Sequence, residues 1–481
     1  ITTIIIMKLI VAFDTKNGIG KDNTIPWFIK SELSYFKKVT TYTNDPLLKN
    51  VVIMGRKTWD SLPKKPLPNR INVVLTRSDT IYEDAFSYKS LDEALCEVNN
   101  MDMVNKENIF VIGGSEIYNE AIKRDDCEKI YATEVYDKYD CDKFFPKIND
   151  NYELTDVSKF QEENGIYYRK IVYTNRDFYG KAFRNDFVWK NTEECKYIET
   201  LNELVSSGIE NGDRTGTGTY SLFGKMFKYD LSDTFPMLTT RRQFFRGIFQ
   251  ELMFYLSGKT SNKILQENNV NIWDGNTSRE FLDTAGLSNY PEGDLGETYG
   301  FNFRHYGANY KTCEDDYTGK GYDQVENVIN LLKNNPNSRR IIIDLWNCST
   351  LHKAALPPCL CKYQFYVNTL ENKLDLMIYI RSSDFFLANN WNVCTGALLV
   401  HLLCNIEGID YTPGILTVIT GNTHLYTNHK EQAIENISRT PRPFPKVVVL
   451  NKKKDINEFT YEDLKLVGYS PYPSIKASMA V

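Results

Sequence analysis

A polar stretch at residues 174–190 divides this chain into two segments with different hydrophobic patterns, and this division is the strongest constraint on the fold. Before it, short apolar runs alternate with helical spacing. After it come longer apolar helices and strands with alternating apolar residues. A chain of 481 residues also exceeds what one ordinary hydrophobic core accommodates. We therefore predict a first domain at residues 1–174, a linker at 175–190 and a second domain at 191–481.

The first segment has the order of an α/β domain. Its β-rich runs are separated by stretches in which apolar residues recur every three or four positions. Such a strand–helix–strand order predicts a mostly parallel sheet with flanking helices. The predicted strands are residues 9–13, 51–54, 71–75, 109–112, 130–133 and a closing strand at 165–173, and the predicted helices are residues 32–40, 91–98 and 115–122.

The second segment has the pattern of an α+β domain. Residues 245–256 predict a long apolar helix that carries one carboxylate, Glu251, and residues 395–404 predict another. Alternating apolar residues predict strands elsewhere in this segment, the last of them after a proline-rich run that stops the preceding element. These predicted strands are residues 360–367, 373–380 and 446–450.

The composition is that of a soluble globular protein, with 42% hydrophobic residues, 25% charged residues and a formal net charge of −5. This balance argues against broad adhesion to nucleic acid or to a membrane, and no apolar run reaches the ~18 residues that span a bilayer. The ten cysteines show no zinc-ligand spacing, so we expect no metal site. They are interpreted as reduced thiols, which predicts a cytoplasmic protein.

Cys359, which follows Pro357 and Pro358, is the candidate nucleophile of the second segment. A single cysteine is more often a small buried apolar residue than a nucleophile. Because the chain has ten cysteines, the structural interpretation is initially the favoured one. The arginines of the segment favour a nucleophile, since a nearby guanidinium lowers the pKa of a thiol and binds an anionic substrate. These arginines are Arg214, Arg339, Arg340 and Arg381, and an amide able to read a nucleobase follows at Asn392.

Three further motifs occur in order in the same segment. They are Asn271-Ile272-Trp273-Asp274, Leu295-Gly296-Glu297-Thr298-Tyr299-Gly300 and Gly421-Asn422-Thr423-His424-Leu425-Tyr426. Together with the motifs around Cys359 and Arg381, they closely resemble thymidylate synthase from about residue 191 to residue 481. So many ordered matches are very specific. The resemblance implies reductive methylation of dUMP to dTMP with 5,10-methylenetetrahydrofolate.

By that resemblance the Cys359 thiolate adds to C6 of dUMP, while Glu251 and Tyr299 transfer protons. The implied dUMP-binding residues are Arg214, Arg339, Arg340, Arg381, Ser382, Asp384, Asn392, His424 and Tyr426. The implied folate-binding residues are Trp273, Asn276, Asp384, Leu387 and Ala480. The resemblance also implies a homodimer through this domain, in which Arg339 and Arg340 reach into the partner's site.

Two positions depart from the family pattern. Leu360 stands directly after the nucleophile, where the family usually has histidine, so the thiol lacks one polar neighbour. Asn422 stands where aspartate is common, and we assign it no role. The histidines outside the motifs are interpreted as packed or surface residues; they are His305, His352, His401 and His429.

Glu32 is the candidate acid of the first segment. On its own, a carboxylate in the first turn of a helix is explained by the helix dipole. The ordered motifs at residues 53–59, 69–72 and 75–77, and a glycine pair within residues 111–116, shift the balance towards function. A glycine pair between a strand and a helix allows a pyrophosphate to approach the backbone. A general dehydrogenase is a weak alternative, because no Gly-x-Gly-x-x-Gly motif follows the first strand.

Taken in order, these motifs resemble dihydrofolate reductase over about residues 8–173. The resemblance implies hydride transfer from NADPH to C6 of dihydrofolate, with Glu32 binding the pterin and helping to deliver a proton to N5. It also implies that Arg56, Thr76 and Arg77 take the 2′-phosphate that distinguishes NADPH from NADH. The implied folate-binding residues are Ala12, Ile25, Glu32, Phe36, Leu62, Arg70 and Thr133. The implied NADPH-binding residues are Ala12, Ile19, Gly20, Gly55, Arg56, Lys57, Thr58, Thr76, Arg77, Ser78, Gly113, Gly114, Ser115 and Glu116.

Together the two segments resemble the fused dihydrofolate reductase–thymidylate synthases of protozoa and plants. The fusion is chemically sensible, because thymidylate synthesis oxidises its folate to dihydrofolate and a reductase regenerates it. Three alternatives exist. A pyrimidine hydroxymethylase shares the cysteine chemistry but favours aspartate where Asn392 stands. An RNA-binding protein would have a basic stripe or an aromatic array. A scaffold with one inactive site conflicts with the presence of both Glu32 and Cys359.

Overall fold

The computed structural model describes residues 5–479. The chain falls into two compact units, Ile1–Trp189 and Lys190–Val481, and each has its own hydrophobic core. In the described part of the chain, no helix is both long enough and apolar enough to cross a membrane.

A nine-stranded sheet forms the centre of the first unit. Its strands are β1 (Met7–Asp14), β3 (Lys49–Gly55), β4 (Arg70–Leu75), β5 (Phe86–Tyr88), β6 (Val104–Val111), β7 (Cys127–Val135), β9 (Tyr152–Val157), β10 (Gln161–Glu163) and β11 (Ile166–Asn175), while β2 (Gly18–Gly20) and β8 (Lys143–Phe144) form a separate pair. The strand order is β10-β11-β7-β1-β6-β3-β4-β5, with β9 beside β11. The central strand β1 is almost entirely buried, as expected for a parallel strand covered on both faces.

The pairing in this sheet is mostly parallel, which confirms the predicted fold class of the first segment. Only the edge formed by β9, β10 and β11 is antiparallel. The helices of the unit are α1 (Lys30–Thr41), α2 (Arg56–Ser61), α3 (Leu91–Asn100), α4 (Ser115–Ala121) and α5 (Arg176–Tyr179), and short 3₁₀ helices lie at Gly180–Ala182 and Asn185–Phe187. The predicted helices 32–40, 91–98 and 115–122 therefore agree with α1, α3 and α4 to within two residues at each end.

A six-stranded sheet forms the centre of the second unit. Its strands are β12 (Ile209–Asn211), β13 (Thr219–Asp230), β14 (Ile342–Asp344), β15 (Leu360–Asn368), β16 (Lys373–Asp384) and β17 (Thr412–Tyr426), and β18 (Lys446–Val449) pairs separately with β19 (Leu464–Val467). The order is β12-β13-β17-β16-β15-β14. Neighbouring strands are antiparallel except for β16 and β17, which run in parallel. The carboxyl ends of these two strands consequently lie side by side.

Two long apolar helices belong to the core of this unit. Helix α7 (Phe245–Leu256) has the bounds predicted from its apolar pattern. Helix α13 (Asn389–Leu403) begins six residues before the predicted start at residue 395. The additional residues include Asn389, Asn390 and Asn392, whose polar side chains hide a helix start from apolar periodicity. The helices are α6 (Thr192–Ser207), α7 (Phe245–Leu256), α8 (Lys263–Glu267), α9 (Asp274–Thr277), α10 (Arg279–Thr284), α11 (Tyr299–Arg304), α12 (Gln324–Asn334), α13 (Asn389–Leu403) and α14 (Lys430–Ile437).

A buried carboxylate attaches α6 to the segment that leads into α7. Glu194 is completely buried and accepts four hydrogen bonds, from the backbone N–H and the hydroxyl of both Thr239 and Thr240, at 2.6–2.8 Å. Burial raises the pKa of Glu194, and these hydrogen bonds oppose the increase. The carboxylate therefore helps to hold the chain that enters the helix carrying Glu251.

We expect Glu194→Ala to lower the free energy of unfolding of the second unit by about 3 kcal/mol, because four donors lose a charged acceptor inside the protein. The urea midpoint of that unit's unfolding transition measures the loss. Glu203→Ala is the matched control on the same helix. Its partially exposed pair with Lys225 contributes about 1 kcal/mol or less. Equal losses in the two variants would contradict the structural role of Glu194.

Candidate active sites

Glu32 is a half-buried carboxylate in the first turn of α1. Burial raises the pKa of Glu32 to about 7, and the positive charge of Lys170 opposes that increase. Lys170 on β11 pairs with Thr133 on β7, and Thr133 pairs with Ala12 on β1. The sheet thus places the predicted folate-binding residues Ala12 and Thr133 side by side. Sequence reasoning missed Lys170, because one lysine in a closing strand carries no distinguishing pattern.

The Arg70 guanidinium lies over the Phe36 ring, with 5.7 Å between the guanidinium carbon and the ring centroid. Its Nη1 donates to Thr40 Oγ1 at 2.7 Å, so α1 helps to orient it, and burial lowers the pKa of Arg70. Phe36 and Leu62 pack against the same buried cluster, whereas Ile25 is exposed. The structure therefore brings Phe36, Leu62 and Arg70 to one region, where a desolvated guanidinium suits a carboxylate ligand.

Three glycines are closely packed where β3 and β6 end. The N–H of Gly55 donates to the carbonyl of Gly113 at 2.9 Å. A Cβ atom at Gly113 or Gly114 would lie only 3.2 or 3.3 Å from Thr58 Oγ1, and the φ angle of +132° at Gly113 also favours glycine. Ser115, the first residue of α4, follows directly. The predicted cofactor residues Gly55, Thr58, Gly113 and Gly114 therefore lie together around backbone that a side chain would obstruct.

The two arginines predicted to select the cofactor follow neighbouring parallel strands. Gly55 at the end of β3 pairs with Leu75 at the end of β4. Arg56 directly follows the first strand, and Thr76 and Arg77 directly follow the second, with both guanidinium groups exposed. The parallel register thus brings Arg56 and Arg77 to the same edge of the sheet. The remaining predicted cofactor residues are Ile19 and Gly20 on β2, Lys57 on α2, Ser78 after β4 and Glu116 on α4.

In the second unit, Cys359 lies immediately before β15. Its backbone N–H donates to Tyr299 Oη at 2.8 Å. Arg381 is held beside it by hydrogen bonds from Nε to the carbonyl of Pro358 at 2.9 Å and from Nη2 to the carbonyl of Pro357 at 3.0 Å. The same Nη2 lies 4.0 Å from the Cys359 Sγ. Two adjacent prolines therefore present carbonyl oxygens that orient a cation towards the thiol.

Burial outweighs the arginines in setting the charge of the thiol. The pKa of Cys359 is raised by burial, which the positive charges of Arg381 and Arg214 oppose and the negative charge of Asp384 reinforces. The expected effect of the two arginines is present, but it is smaller than the effect of burial. Within residues 5–479, the arginines that act on the thiol are these two, whereas Arg339 and Arg340 lie exposed at the surface.

The parallel pair β16 and β17 collects several predicted dUMP-binding residues. Ser382 pairs with Asn422, and Asp384 pairs with His424. The Nδ1 of His424 lies 2.8 Å from Asn422 Oδ1, and because an amide oxygen only accepts, Nδ1 carries the proton. Burial lowers the pKa of His424, which favours a neutral ring with Nε2 as an acceptor. The Tyr426 ring meets this imidazole edge to face at 5.3 Å. Asn422, to which we assigned no role, therefore sets the tautomer of His424.

Arg214 lies in a loop whose shape is set by one carboxylate. Asp213 accepts hydrogen bonds from the backbone N–H groups of Thr215 at 2.9 Å and Gly218 at 2.8 Å. Arg214 is exposed, with its guanidinium carbon 6.0 Å from the centre of the Phe281 ring. Among the described residues, no hydrogen-bond acceptor holds the Arg214 guanidinium, so the loop presents this charge to solvent.

Glu251 is buried in α7 and accepts hydrogen bonds from three side chains. Tyr255 Oη and Trp273 Nε1 donate to Oε1 at 2.7 and 2.9 Å, and Trp391 Nε1 donates to Oε2 at 2.6 Å. Burial raises the pKa of Glu251, and the three donors oppose the increase. Sequence reasoning identified Trp273 but missed Tyr255 and Trp391. The i,i+4 spacing of Glu251 and Tyr255 is a signal that could have indicated the first of these.

Aromatic packing joins this carboxylate to the nucleophile. The Tyr299 ring stacks on Tyr255 at 4.8 Å and meets Trp273 at 6.0 Å, and its hydroxyl accepts from the Cys359 amide. The structure therefore brings Cys359, Tyr299, Glu251 and Trp273 into one connected cluster.

The other predicted residues lie elsewhere in the unit. Asn276 is buried in α9, and Asn392 is half-buried near the start of α13. The N–H of Leu387 donates to Asp384 Oδ1 at 3.0 Å. Ala480 lies outside the described residues.

These two sites define an enzyme with two catalytic domains, one built around a carboxylate and a glycine-rich backbone and the other around a cysteine. The sequence profile of dihydrofolate reductase matches residues 6–175, and that of thymidylate synthase matches residues 195–481. The chain is 39% identical to the bifunctional dihydrofolate reductase-thymidylate synthase of Zea mays, covering 98% of this chain and 96% of that protein. The corresponding proteins of Paramecium tetraurelia and Leishmania major are 38% and 35% identical, each over 98% of this chain and over 98% and 95% of their own lengths.

The chain belongs to the family of bifunctional dihydrofolate reductase–thymidylate synthases. Its domains carry out methylation of dUMP to dTMP with methylenetetrahydrofolate and reduction of dihydrofolate to tetrahydrofolate with NADPH. The predicted family, fold classes, activities and cofactors are thereby confirmed.

The Glu32 carboxyl should titrate near pH 7 rather than near its ordinary value of 4.5, because burial disfavours the charged form. As the pH rises through 7, the band of the neutral carboxylic acid in the infrared spectrum should disappear. The difference between the unmodified protein and Glu32→Gln isolates this band. Loss of the band already near pH 4.5 would show that the carboxyl is solvated as in water.

Proposed function

We propose that Cys359 is the nucleophile of the synthase reaction. The hydrogen bond from its amide to Tyr299 and the Arg381 guanidinium 4.0 Å from its Sγ carry this proposal. The thiolate adds to C6 of dUMP, which makes C5 nucleophilic towards methylenetetrahydrofolate. Because burial raises the pKa of the free thiol, the attacking form depends on the positive charges gathered around it.

We propose that the phosphate of dUMP binds to Arg214, Arg381 and Ser382. The exposed Arg214 guanidinium donates to no protein acceptor within residues 5–479 and is available for charge-assisted hydrogen bonds to a dianion. Arg381 is held beside the thiol by the carbonyls of Pro357 and Pro358, and Ser382 follows it on β16. Asn392 reads the uracil edge, since an amide supplies one donor and one acceptor. His424 and Tyr426 hold the ribose, with the neutral imidazole Nε2 accepting from a hydroxyl. Asp384 lies beside His424 on the neighbouring strand.

Glu251 and Tyr299 supply the proton transfers of the synthase in this proposal. Burial raises the pKa of Glu251 and so favours the neutral acid, a form that a group acting as general acid must be able to take. Tyr299 helps to remove the C5 proton, and its position over Tyr255 and against the Cys359 amide supports that role. Trp273, Asn276, Asp384, Leu387 and Ala480 are the proposed contacts of the folate.

For the reductase, we propose that Glu32 binds the pterin and holds the proton destined for N5. A pKa of about 7 leaves this carboxyl partly protonated at neutral pH, which suits a proton donor. Arg70 binds the carboxylate of the folate tail, and Ala12, Ile25, Phe36, Leu62 and Thr133 surround the ring system. NADPH supplies a hydride when bound. The glycine pair at the start of α4 suits the approach of its pyrophosphate to the backbone, and Arg56, Thr76 and Arg77 suit its 2′-phosphate.

If the two sites work separately, Cys359→Ala should abolish dTMP formation and leave NADPH oxidation by dihydrofolate largely intact. Glu32→Ala should do the reverse, with residual reductase activity that increases at low pH because solvent then protonates the pterin. A spectrophotometric assay of each reaction measures both effects. Cys361→Ala, which changes a buried neighbouring cysteine, is the matched control and should retain synthase activity. Substantial synthase turnover by Cys359→Ala would show that the nucleophile is another residue.

We also propose a homodimer through the second unit. On the face of the six-stranded sheet that its core does not cover, Met226, Tyr366 and Tyr379 are 61%, 65% and 40% exposed. Exposed apolar groups of this kind are typical of a surface that packs against another protein. Arg339 and Arg340 also lie exposed rather than beside the thiol of their own chain, which supports a role in the partner's site.

We propose that the protein acts in the cytoplasm. The ten cysteines are free thiols, which supports action in this reducing compartment.

A mixed dimer tests this arrangement. Cys359→Ala chains and Arg339→Ala/Arg340→Ala chains should each be inactive in synthesis alone. When they are unfolded and refolded together, one site of each mixed dimer collects both defects and the other collects neither. Random association through a twofold interface should therefore restore about one quarter of the sites.

Reductase activity serves as the control for refolding yield, since neither variant changes the first unit. Co-purification of differently tagged chains verifies that mixed dimers have formed. Mixed dimers without synthase activity would place both arginines in the site of their own chain.

A further inference from the structure

The hydrogen bonds to Glu251 are distributed unequally between its two oxygens. Within residues 5–479, Oε1 accepts from both Tyr255 Oη and Trp273 Nε1, whereas Oε2 accepts from Trp391 Nε1 alone. A carboxylate oxygen has two lone pairs in the carboxyl plane, so Oε1 has both occupied and Oε2 retains one. An indole N–H donates only, and cannot reverse to accept a proton from the carboxyl. The unoccupied lone pair of Oε2 is therefore the position at which this carboxyl exchanges a proton.

The Trp391 indole lies close to a glycine in the helix that carries Glu251. A Cβ atom at Gly247, one turn before Glu251 on α7, would lie 2.5 and 2.7 Å from two carbons of the Phe244 ring and 2.8 Å from Trp391 Cη2. A side chain at position 247 would thus collide with both Phe244 and the indole. Glycine in the interior of an apolar helix weakens it by roughly 0.5–1 kcal/mol relative to alanine, so this space has a cost in helix stability. The close contact shows that α7 and α13 accommodate the indole beside the carboxylate.

We propose that Trp391 and Tyr255 are positioning residues for the synthase reaction, which orient Glu251 so that proton exchange occurs at Oε2. This inference rests on the proposed function of Glu251 as the proton-transferring group. Neither side chain needs to touch a substrate for this role. Each acts by donating to one defined oxygen of a buried carboxylate, and each favours the charged form of that carboxylate by doing so.

Few titratable groups surround Glu251. Within residues 5–479, the titratable side chains that interact with it are Tyr255 on its own helix, Tyr299 on α11 and Tyr363 on β15. Burial raises the pKa of all three phenols, so they remain neutral over the range of an activity assay. The Cys359 thiol, which interacts with Tyr299, also titrates. A change in the pH profile on altering a donor is therefore assigned to the carboxyl when it is absent from the Glu251→Gln background.

The test is Trp391→Phe, which keeps an aromatic ring but removes the N–H donor together with part of the ring volume, so that Tyr255→Phe, which removes only a hydroxyl, accompanies it. We expect kcat for dTMP formation to fall roughly 10- to 100-fold, the range for losing one hydrogen bond to a charged group. The KM for dUMP should change less than about twofold. The pKa governing the pH profile of kcat should rise by about one unit, because the anion has lost a donor. Tyr255→Phe should change the same quantities in the same direction, and it provides an independent test if Trp391→Phe does not fold.

Tyr363→Phe is the matched control, since it removes a buried hydroxyl near Glu251 that does not donate to either of its oxygens. It should leave kcat and the pH profile unchanged within about twofold. Reductase activity and the thermal unfolding midpoint verify folding in every variant.

A double-mutant cycle with Glu251→Gln separates positioning from packing. If Trp391 acts through the carboxylate, Trp391→Phe should reduce kcat less than about threefold in the Glu251→Gln background. An equal loss in both backgrounds, or an unchanged pH profile, would overturn the inference and leave the role of Glu251 intact. Full turnover by Glu251→Gln alone would instead refute the proposed role of Glu251, and the inference with it.

Discussion

The parallel pairing of β16 with β17 is the constraint on which the second site depends. Side-by-side strands that end at the same edge bring Ser382, Asp384, His424 and Asn422 together from positions about forty residues apart in the chain. The preceding turn of the sheet places Cys359 next to Arg381, because the Arg381 N–H donates to the Cys359 carbonyl. Other parts of the unit, such as the Arg214 loop and the start of α13, contribute the remaining candidate residues. The relative positions of these residues thus depend on the register of the strands more than on any single loop.

Burial dominates the electrostatics of both units. It raises the pKa of Glu32, Glu251 and Cys359 alike, although a nearby cation or hydrogen-bond donor opposes the increase in each case. A raised pKa favours the neutral form of a carboxyl, which suits a proton donor, but it also favours the neutral form of a thiol, which is less reactive than the thiolate. The same physical effect therefore supports the roles proposed for the two carboxyls and opposes the role proposed for Cys359. The charges of Arg381 and Arg214 act against it at the thiol.

Much of the fold follows from local patterns, and much of the site does not. Apolar periodicity predicts α7 to the residue, and the strand–helix order of the first segment predicts its parallel sheet. Strand β17 was not predicted, because Pro413, Gly414 and Gly421 interrupt a pattern that only pairing with two neighbouring strands sustains. Trp391 was missed for a related reason. Its hydrogen bond to Glu251 joins residues 140 positions apart, and no local pattern records such a contact.

The space around Gly247 limits how α7 could be redesigned. A Cβ atom there would lie 2.5 and 2.7 Å from carbons of the Phe244 ring and 2.8 Å from the Trp391 indole, so removing either ring alone leaves the other in the way. A larger residue at 247 therefore requires changes at both aromatic positions. The glycine is thus constrained by two neighbours, one directly before its own helix and one on α13, and no single compensating substitution relieves it.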